Sequence, residues 1–207
     1  YTENELIVVD RDTNLFFDTT LSNLFHFIHN NEKHYFYLNN SSDLSLSIFN
    51  NDSVSFSGEN ADFSFFLNEY FAMRNQINNL FNQPNLDLFE VSLYNLISND
   101  FVSFFQSHKF YENFSPYCRK FFKYFLELEY FNAISNYLIN HTKDLNALLP
   151  SYRDMQTDLL DLNIFKKVID KKNFYNVSVF QNYIYNSIIL FSINNHKYQA
   201  NQDHQNF

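Results

Sequence analysis

Glycine is almost missing from this chain. Its 207 residues include one Gly (Gly58), three Pro (Pro84, Pro116 and Pro150), one Cys (Cys118) and no Trp. With so little Gly, neither a phosphate-cradling loop nor a nucleophile elbow can be assembled. One Cys excludes an internal disulfide framework and any multi-thiolate metal site. Turns fall instead to Asn and Asp, which tolerate the left-handed region and form Asx-turns. Asn is abundant, at 32 residues. Six Asn-x-Ser/Thr sequons (Asn39, Asn40, Asn51, Asn113, Asn140 and Asn176) are what such an Asn content yields by chance, so they do not signal secretion. A long charge-free run does occur, Asn173 to His196, but Asn173, Asn176, Gln181, Asn182, Asn186, Asn194 and Asn195 are each costly in hydrocarbon. A buried helix or hairpin is expected there rather than a membrane span.

What the chain has in quantity is aromatic. Phe (27) and Tyr (15) make up 20% of it, enough to build a core without much Val or Leu and too much for a disordered chain. Phe, Tyr, Asn, Ile and Lys account for 97 residues, whereas Gly, Ala, Arg and Pro account for 13. The first group is read from AT-rich codons, and the excess of Phe (27) over Lys (10) points to a T-rich coding strand. A mitochondrial genome fits that skew, with a reduced bacterial, plasmid or viral genome as the alternative.

The fold class expected is α+β, a small N-terminal antiparallel sheet with a short helix, followed by a mainly α-helical C-terminal part. Residues 1–60 form an acidic α+β region, 61–198 a helical region with basic clusters, and 199–207 a polar tail. Strands are expected at 5–10, a short buried run with 14–19 as its partner, and at 34–38, 44–49 and 53–57, with apolar residues alternating in the last two. Leu21, Leu24, Phe25 and Ile28 suggest a short helix. Helical spacing then covers Ala61–Phe81 (Phe65, Phe66, Tyr70, Ile77, Leu80) and Leu86–Phe105 (Leu88, Val91, Tyr94, Ile97, Phe101). The clearest helix runs from Ser115 to His141. Ser115 is an N-cap, Pro116 suits the first helical position, and Phe121, Phe125, Leu128, Phe131, Ile134 and Leu138 share one face. A last helix is expected at 152–172.

Charge divides the chain. Residues 1–114 carry four Lys/Arg against fifteen Asp/Glu, and residues 115–198 carry ten against seven. The halves therefore face different surroundings. Positive residues gather as Arg119, Lys120 and Lys123, and again as Lys166, Lys167, Lys171 and Lys172. Interleaved with Tyr117, Tyr124 and Phe174, they are candidates for RNA phosphate and base contacts inside a larger particle. As a free-standing binder the chain is unsuited, since a pI near 5.1 repels nucleic acid at long range.

Other constellations carry less. His26, His29 and His34, with Glu32 between, have a ligand-like spacing, but Asn30 and Asn31 break any helix that would align them, so no metal or other cofactor is expected. Cys118 near Arg119 could be an activated thiolate, yet no pairing with His108 or His141 follows from the sequence. Glu127 with Glu129 and Asp158 with Asp161 are possible acid–base pairs, of which only the second shares a helix face. No catalytic residue is assigned.

Lys120–Leu138 (KFFKYFLELEYFNAISNYL), followed by IFKKV at Ile164 and KYQ at Lys197, is similar to the helix, helix and hairpin order of the small-subunit ribosomal protein seven family. That family's Gly-Lys-Lys turn, hairpin glycines and basic C-terminal helices are missing. The resemblance implies an RNA-contacting ribosomal protein. From composition and charge the same expectation arises independently: a non-catalytic structural subunit of a large assembly, a mitochondrial ribosome in the matrix, meeting ribosomal RNA through the C-terminal half and protein neighbours through the acidic half. A peripheral subunit of a respiratory or ATP-synthase complex is the first alternative. An enzyme or accessory protein of an AT-rich bacterium, plasmid or virus is the second.

Overall fold

The computed structural model describes residues 23–39, 43–49 and 53–141, together with 181–182, 184–186 and 188–189. The strands expected at 5–10 and 14–19 and the helix expected at 152–172 lie outside the described residues. Strands come first and helices follow, the α+β layout expected. Strands β1 (Asn23–His29) and β2 (Glu32–Leu38) pair antiparallel, and β3 (Leu44–Ile48) and β4 (Val54–Gly58) form a second, separate two-stranded sheet.

Asparagine does take over the work of glycine. Asn30 and Asn31, with φ of 50° and 65°, make the two-residue turn between β1 and β2. Positive φ at both positions matches the twist of the flanking strands. That turn also explains why the short helix expected at Leu21–Ile28 is a strand. Leu24, Phe25 and Ile28 satisfy helical spacing, but Leu24, His26 and Ile28 alternate equally well with Phe25, Phe27 and His29. Once the turn sets Phe25 opposite Phe36 and Phe27 opposite His34, the strand gains a paired backbone that a short helix lacks. Gly58 is required where it stands: its φ is 102°, and a Cβ there would lie 2.5 Å from the Asp43 carbonyl oxygen.

The helix expected over Ala61–Phe81 is interrupted at Asn75, giving α1 (Ala61–Arg74) and α2 (Gln76–Leu80). Helix α3 (Leu86–Asn95) is capped by Asn85, whose side-chain oxygen accepts the Leu88 N–H at 2.9 Å. It passes through a π-helical turn (Leu96–Phe101) into α4 (Val102–Ser107). Helix α5 (Pro116–Asn140) begins as its sequence requires, with Ser115 Oγ accepting the Cys118 N–H at 3.2 Å. Phe121, Phe125, Leu128, Ile134 and Leu138 are buried along it, with Phe131 half-buried.

Rings fill the core. Phe66 of α1 meets Phe122 of α5 at 4.8 Å and 83°, Tyr70 meets the same ring at 4.9 Å and 87°, and Tyr37 of β2 reaches Phe121 at 4.8 Å. Edge-to-face contacts of this kind add about 0.5–1.5 kcal/mol each beyond burial. The first hairpin thus shares one core with the helices.

Helix α1 also closes the outer edge of β2. Asn68 accepts the Tyr35 N–H at 2.8 Å and donates to the Tyr35 carbonyl at 2.7 Å, while Ser64 Oγ accepts the Tyr37 N–H at 3.1 Å. One amide side chain thereby satisfies both backbone groups of an edge residue. Asn68→Ala should cost about 2–3 kcal/mol, because two part-buried backbone groups lose their partner. Urea unfolding checks this; a loss no larger than that of an exposed control such as Asn79→Ala would refute the role.

Candidate functional site

The first basic cluster begins at the N-terminal end of α5, but its members behave differently. Arg119 is occupied within the protein. Its Nε donates to the Phe114 carbonyl at 3.1 Å, and its Nη2 to the Tyr111 and Glu112 carbonyls at 2.9 and 3.2 Å. The guanidinium lies 4.4 Å over the Tyr111 ring. Arg119 therefore satisfies carbonyls of the 3-10 turn Tyr111–Asn113 and of the Phe114 link, and fixes the entry into α5. Lys120 and Lys123 are exposed. Three residues apart, they share a helix face with Tyr117, which is 69% exposed. Lys166, Lys167, Lys171 and Lys172 lie outside the described residues, as do Asp158 and Asp161.

The histidines are separated by strand alternation. His26 points to the face of the β1–β2 hairpin opposite that of His29 and His34, and His34 stacks on Phe27 at 5.0 Å. Burial and the nearby Lys33 lower the pKa of His26. Cys118 is fully buried, with its Sγ 3.2 Å from the Asn60 side-chain oxygen. Burial pushes its thiol up to about 11, the opposite of activation. Asn60 and Cys118 border a cavity of about 240 Å³ between the start of α1 and the start of α5, with Glu59, Asp62, Asn113 and Ser115 at its rim.

Two features of the described surface and core escaped the sequence. The first is an ion pair across the α1–α5 junction. Arg74 Nε donates to Glu129 Oε2 at 2.8 Å, with the Glu129 side chain 1% exposed and that of Arg74 34%. Glu129 does not share the solvent with Glu127, so the two form no acid–base pair. Burial raises the Glu129 pKa against the lowering pull of Arg74. For Arg74, burial acts downward, but the charge and hydrogen bond of Glu129, with smaller pulls from Tyr70 and Tyr35, together make the net shift upward. The Tyr70 hydroxyl, raised first by burial and then by Glu129, and the second Glu129 oxygen have no hydrogen-bond partner among the described residues.

The second feature is the outer face of α3. Of the core face the sequence suggested over Leu86–Phe105, Ile97 and Phe101 are buried, but Leu88, Val91 and Tyr94 on α3 are not, and the core takes Leu86, Phe89 and Leu93 instead. Phe89 stacks on Tyr137 at 4.3 Å, which turns the opposite face outward. Leu88, Val91 and Tyr94 stand 48%, 59% and 60% exposed. Asp87 and Glu90 flank them, and Glu90 accepts the Tyr130 hydroxyl at 2.8 Å.

At the far end, Asn186 is buried and donates to the Asn132 and Asn136 side-chain oxygens at 2.7 and 2.9 Å. That part of the charge-free run is thus turned into the protein. No helix among the described residues is long and apolar enough to cross a membrane.

Arg74→Met should lose about 3–5 kcal/mol at neutral pH, because it strands a buried carboxylate. The sign with pH follows from the raised Glu129 pKa. The folded chain holds that proton more tightly than the unfolded chain, so this group's contribution is fully present below the ordinary carboxyl range and declines as pH rises through the raised value. Arg74→Met should therefore recover stability in mild acid, whereas Glu129→Gln, which leaves the one-third-exposed Arg74 to water, should lose less and show no such recovery. Urea titrations at two pH values test this; equal losses at both would refute it.

No protein-family model, no curated protein and no solved structure matches the chain.

Proposed function

We propose that the chain is a non-catalytic structural subunit of a large assembly. The exposed stripe of Leu88, Val91 and Tyr94 on α3 carries this reading. Apolar side chains in a row on one helix face, beside acidic residues and opposite a well-filled core face, suit a protein neighbour. Aromatic side chains in such numbers serve interfaces as well as cores.

The assembly we infer is an organellar ribosome, on the grounds of the AT-rich, T-skewed composition and the opposite charge of the two halves. In this reading the basic half meets RNA. Tyr117, Lys120 and Lys123 supply a stacking ring and two phosphate contacts on the exposed surface of α5, while Arg119 holds the turn before it. Lys166, Lys167, Lys171 and Lys172 are the further RNA-contact candidates. The respiratory or ATP-synthase alternative gains no support from Asn186, whose amide is bonded to α5.

Sedimentation of the native chain from a gentle lysate, with and without ribonuclease, tests the proposal. Expected is movement with a large particle that ribonuclease dissolves. Lys120→Glu with Lys123→Glu should weaken that association, and Val91→Lys should weaken it without changing the fold, since the residue is exposed. A ribonuclease-resistant membrane particle would favour the respiratory alternative. A free 25.0 kDa species would overturn both readings and return attention to an enzyme or accessory protein.

A further inference from the structure

Among the described residues, nothing closes the β3 edge of the β3–β4 hairpin. The Phe49 N–H bonds the Ser53 carbonyl at 3.0 Å, and the Glu59 N–H bonds the Asp43 carbonyl at 3.0 Å. Residues 43 and 49 therefore belong to the hydrogen-bonded set facing β4, and by alternation so do Ser45 and Ser47. The backbone N–H and C=O groups of Leu44, Leu46 and Ile48 must point the other way. No hydrogen bond among the described residues reaches them, and the side chains of Leu46 and Ile48 are exposed. The edge has none of the usual guards, as LSLSI contains no charge, no Pro and no bulge.

Its sides are sharply sorted. Ser45 opposes Ser57 and Ser47 opposes Ser55 on one face, while Leu46 opposes Phe56 and Ile48 opposes Val54 on the other. A two-stranded sheet with one apolar face is marginal alone; a packed helix, here α1 against β4, or further strands stabilise it.

We propose that β3 pairs antiparallel with β3 of a second copy of this chain, about a two-fold axis through Leu46. The strand is self-complementary in that register. Leu46 meets its own copy, Leu44 meets Ile48, and every outward N–H and C=O of the edge finds a partner. Ser45 falls opposite Ser47, so the serine face and the apolar face each continue unbroken across a four-stranded sheet, ordered β4, β3, β3, β4. A slip of one residue would bring serine against the apolar face. Charge selects the direction. Antiparallel pairing puts the two Asp43 carboxylates at opposite ends, about 20 Å apart, whereas parallel pairing would set them side by side. A five-residue edge buries less than a standard interface, so the dimer is a weak one, with a dissociation constant of about 1–100 µM. This pairing rests on the hairpin alone and is independent of the ribosomal reading.

Sedimentation velocity of the purified full chain over a range of concentration, with amide hydrogen exchange on the same samples, tests it. The expected result is a reversible dimer in which the Leu44, Leu46 and Ile48 amides gain protection with concentration, while Ser45 and Ser47 are already protected in the monomer. Leu46→Pro removes an outward N–H and leaves the bonds to β4 intact. It should weaken dimerisation by about thirtyfold or more, since the two-fold loses the bond twice. Leu46→Lys should do the same by placing two charges on the axis, and both variants should retain the parent's monomer fold by circular dichroism. A monomer at every concentration would overturn the proposal, as would a dimer that tolerates both variants. Protection of these amides only in a cell-derived particle would overturn it in favour of a strand from another protein.

Discussion

Everything in the helical part depends on the packing of α1 against α5 through aromatic rings. Phe63, Phe66 and Tyr70 on one helix and Phe121, Phe122 and Phe125 on the other are all buried, and the rings meet mainly edge to face or tilted rather than as parallel plates. A ring is wide and flat, so a core made from rings has strong directional preferences, and a neighbour must present an edge where its partner presents a face. Phe105 and Phe114 complete the arrangement from α4 and from the link into α5, which is why Arg119 matters. By holding the carbonyls around Phe114, it fixes the ring that packs on Phe63 and Phe66.

Polar groups enter this interior mostly with specific partners, although the Tyr70 hydroxyl and one Glu129 oxygen have none among the described residues. Tyr137 reaches out of the core to donate to the Gln83 carbonyl at 2.8 Å, and Tyr130 donates to Glu90, so hydroxyls on α5 pin the α2–α3 connection and α3 itself. Where Tyr130 donates, burial and then the Glu90 carboxylate raise its pKa. The Arg74–Glu129 pair is the costlier case. Burial of the carboxylate prevails over the attraction of its partner, so the pair contributes little net stability, while removal of Arg74, which strands the buried carboxylate, is expensive. Such an arrangement fixes the alignment of α1 on α5 more than it strengthens it. Ring packing alone would tolerate a slide along the helix; the ion pair would not.

The extent to which the sequence foretold this follows from how local each signal is. Helix α5 was legible to within a residue, because Ser115-Pro116 marks its start and a long run of spaced Phe and Leu marks its face. Strand β1 was not, since seven residues of mixed apolar and polar type fit both periods and only the Asn30-Asn31 turn decides between them. The α3 face was misread for a related reason. Apolar residues stand on both of its sides, and the choice of Leu86, Phe89 and Leu93 as the inner set is made by Tyr137, far off in the chain. The ion pair of Glu129 was not legible, because its partner, Arg74, is 55 residues away. Of the basic cluster, the spacing of Lys120 and Lys123 was legible, whereas the engagement of Arg119 with backbone carbonyls depends on a turn with no sequence signature.

The two hairpins set a contrast that local sequence does explain. Both are short antiparallel pairs, and each has a strand whose outward backbone groups must be satisfied or left to water. On β2 those groups belong to Tyr35 and Tyr37, and α1 carries Ser64 and Asn68 one helical turn apart to meet them. The spacing is a consequence of geometry: two residues of strand and one turn of helix advance by nearly the same distance, about 6.6 and about 5.4 Å. A helix with polar residues at i and i+4 can therefore act as the missing strand. The edge of β3 has no such helix bonded to it among the described residues, and its apolar residues alternate with serine where β2 carries rings that enter the core. The β2 edge is closed from within the chain, whereas the β3 edge is left neutral and regular among the described residues. Among the described residues, the uncharged β3 edge presents a further strand with a regular row of unbonded backbone groups.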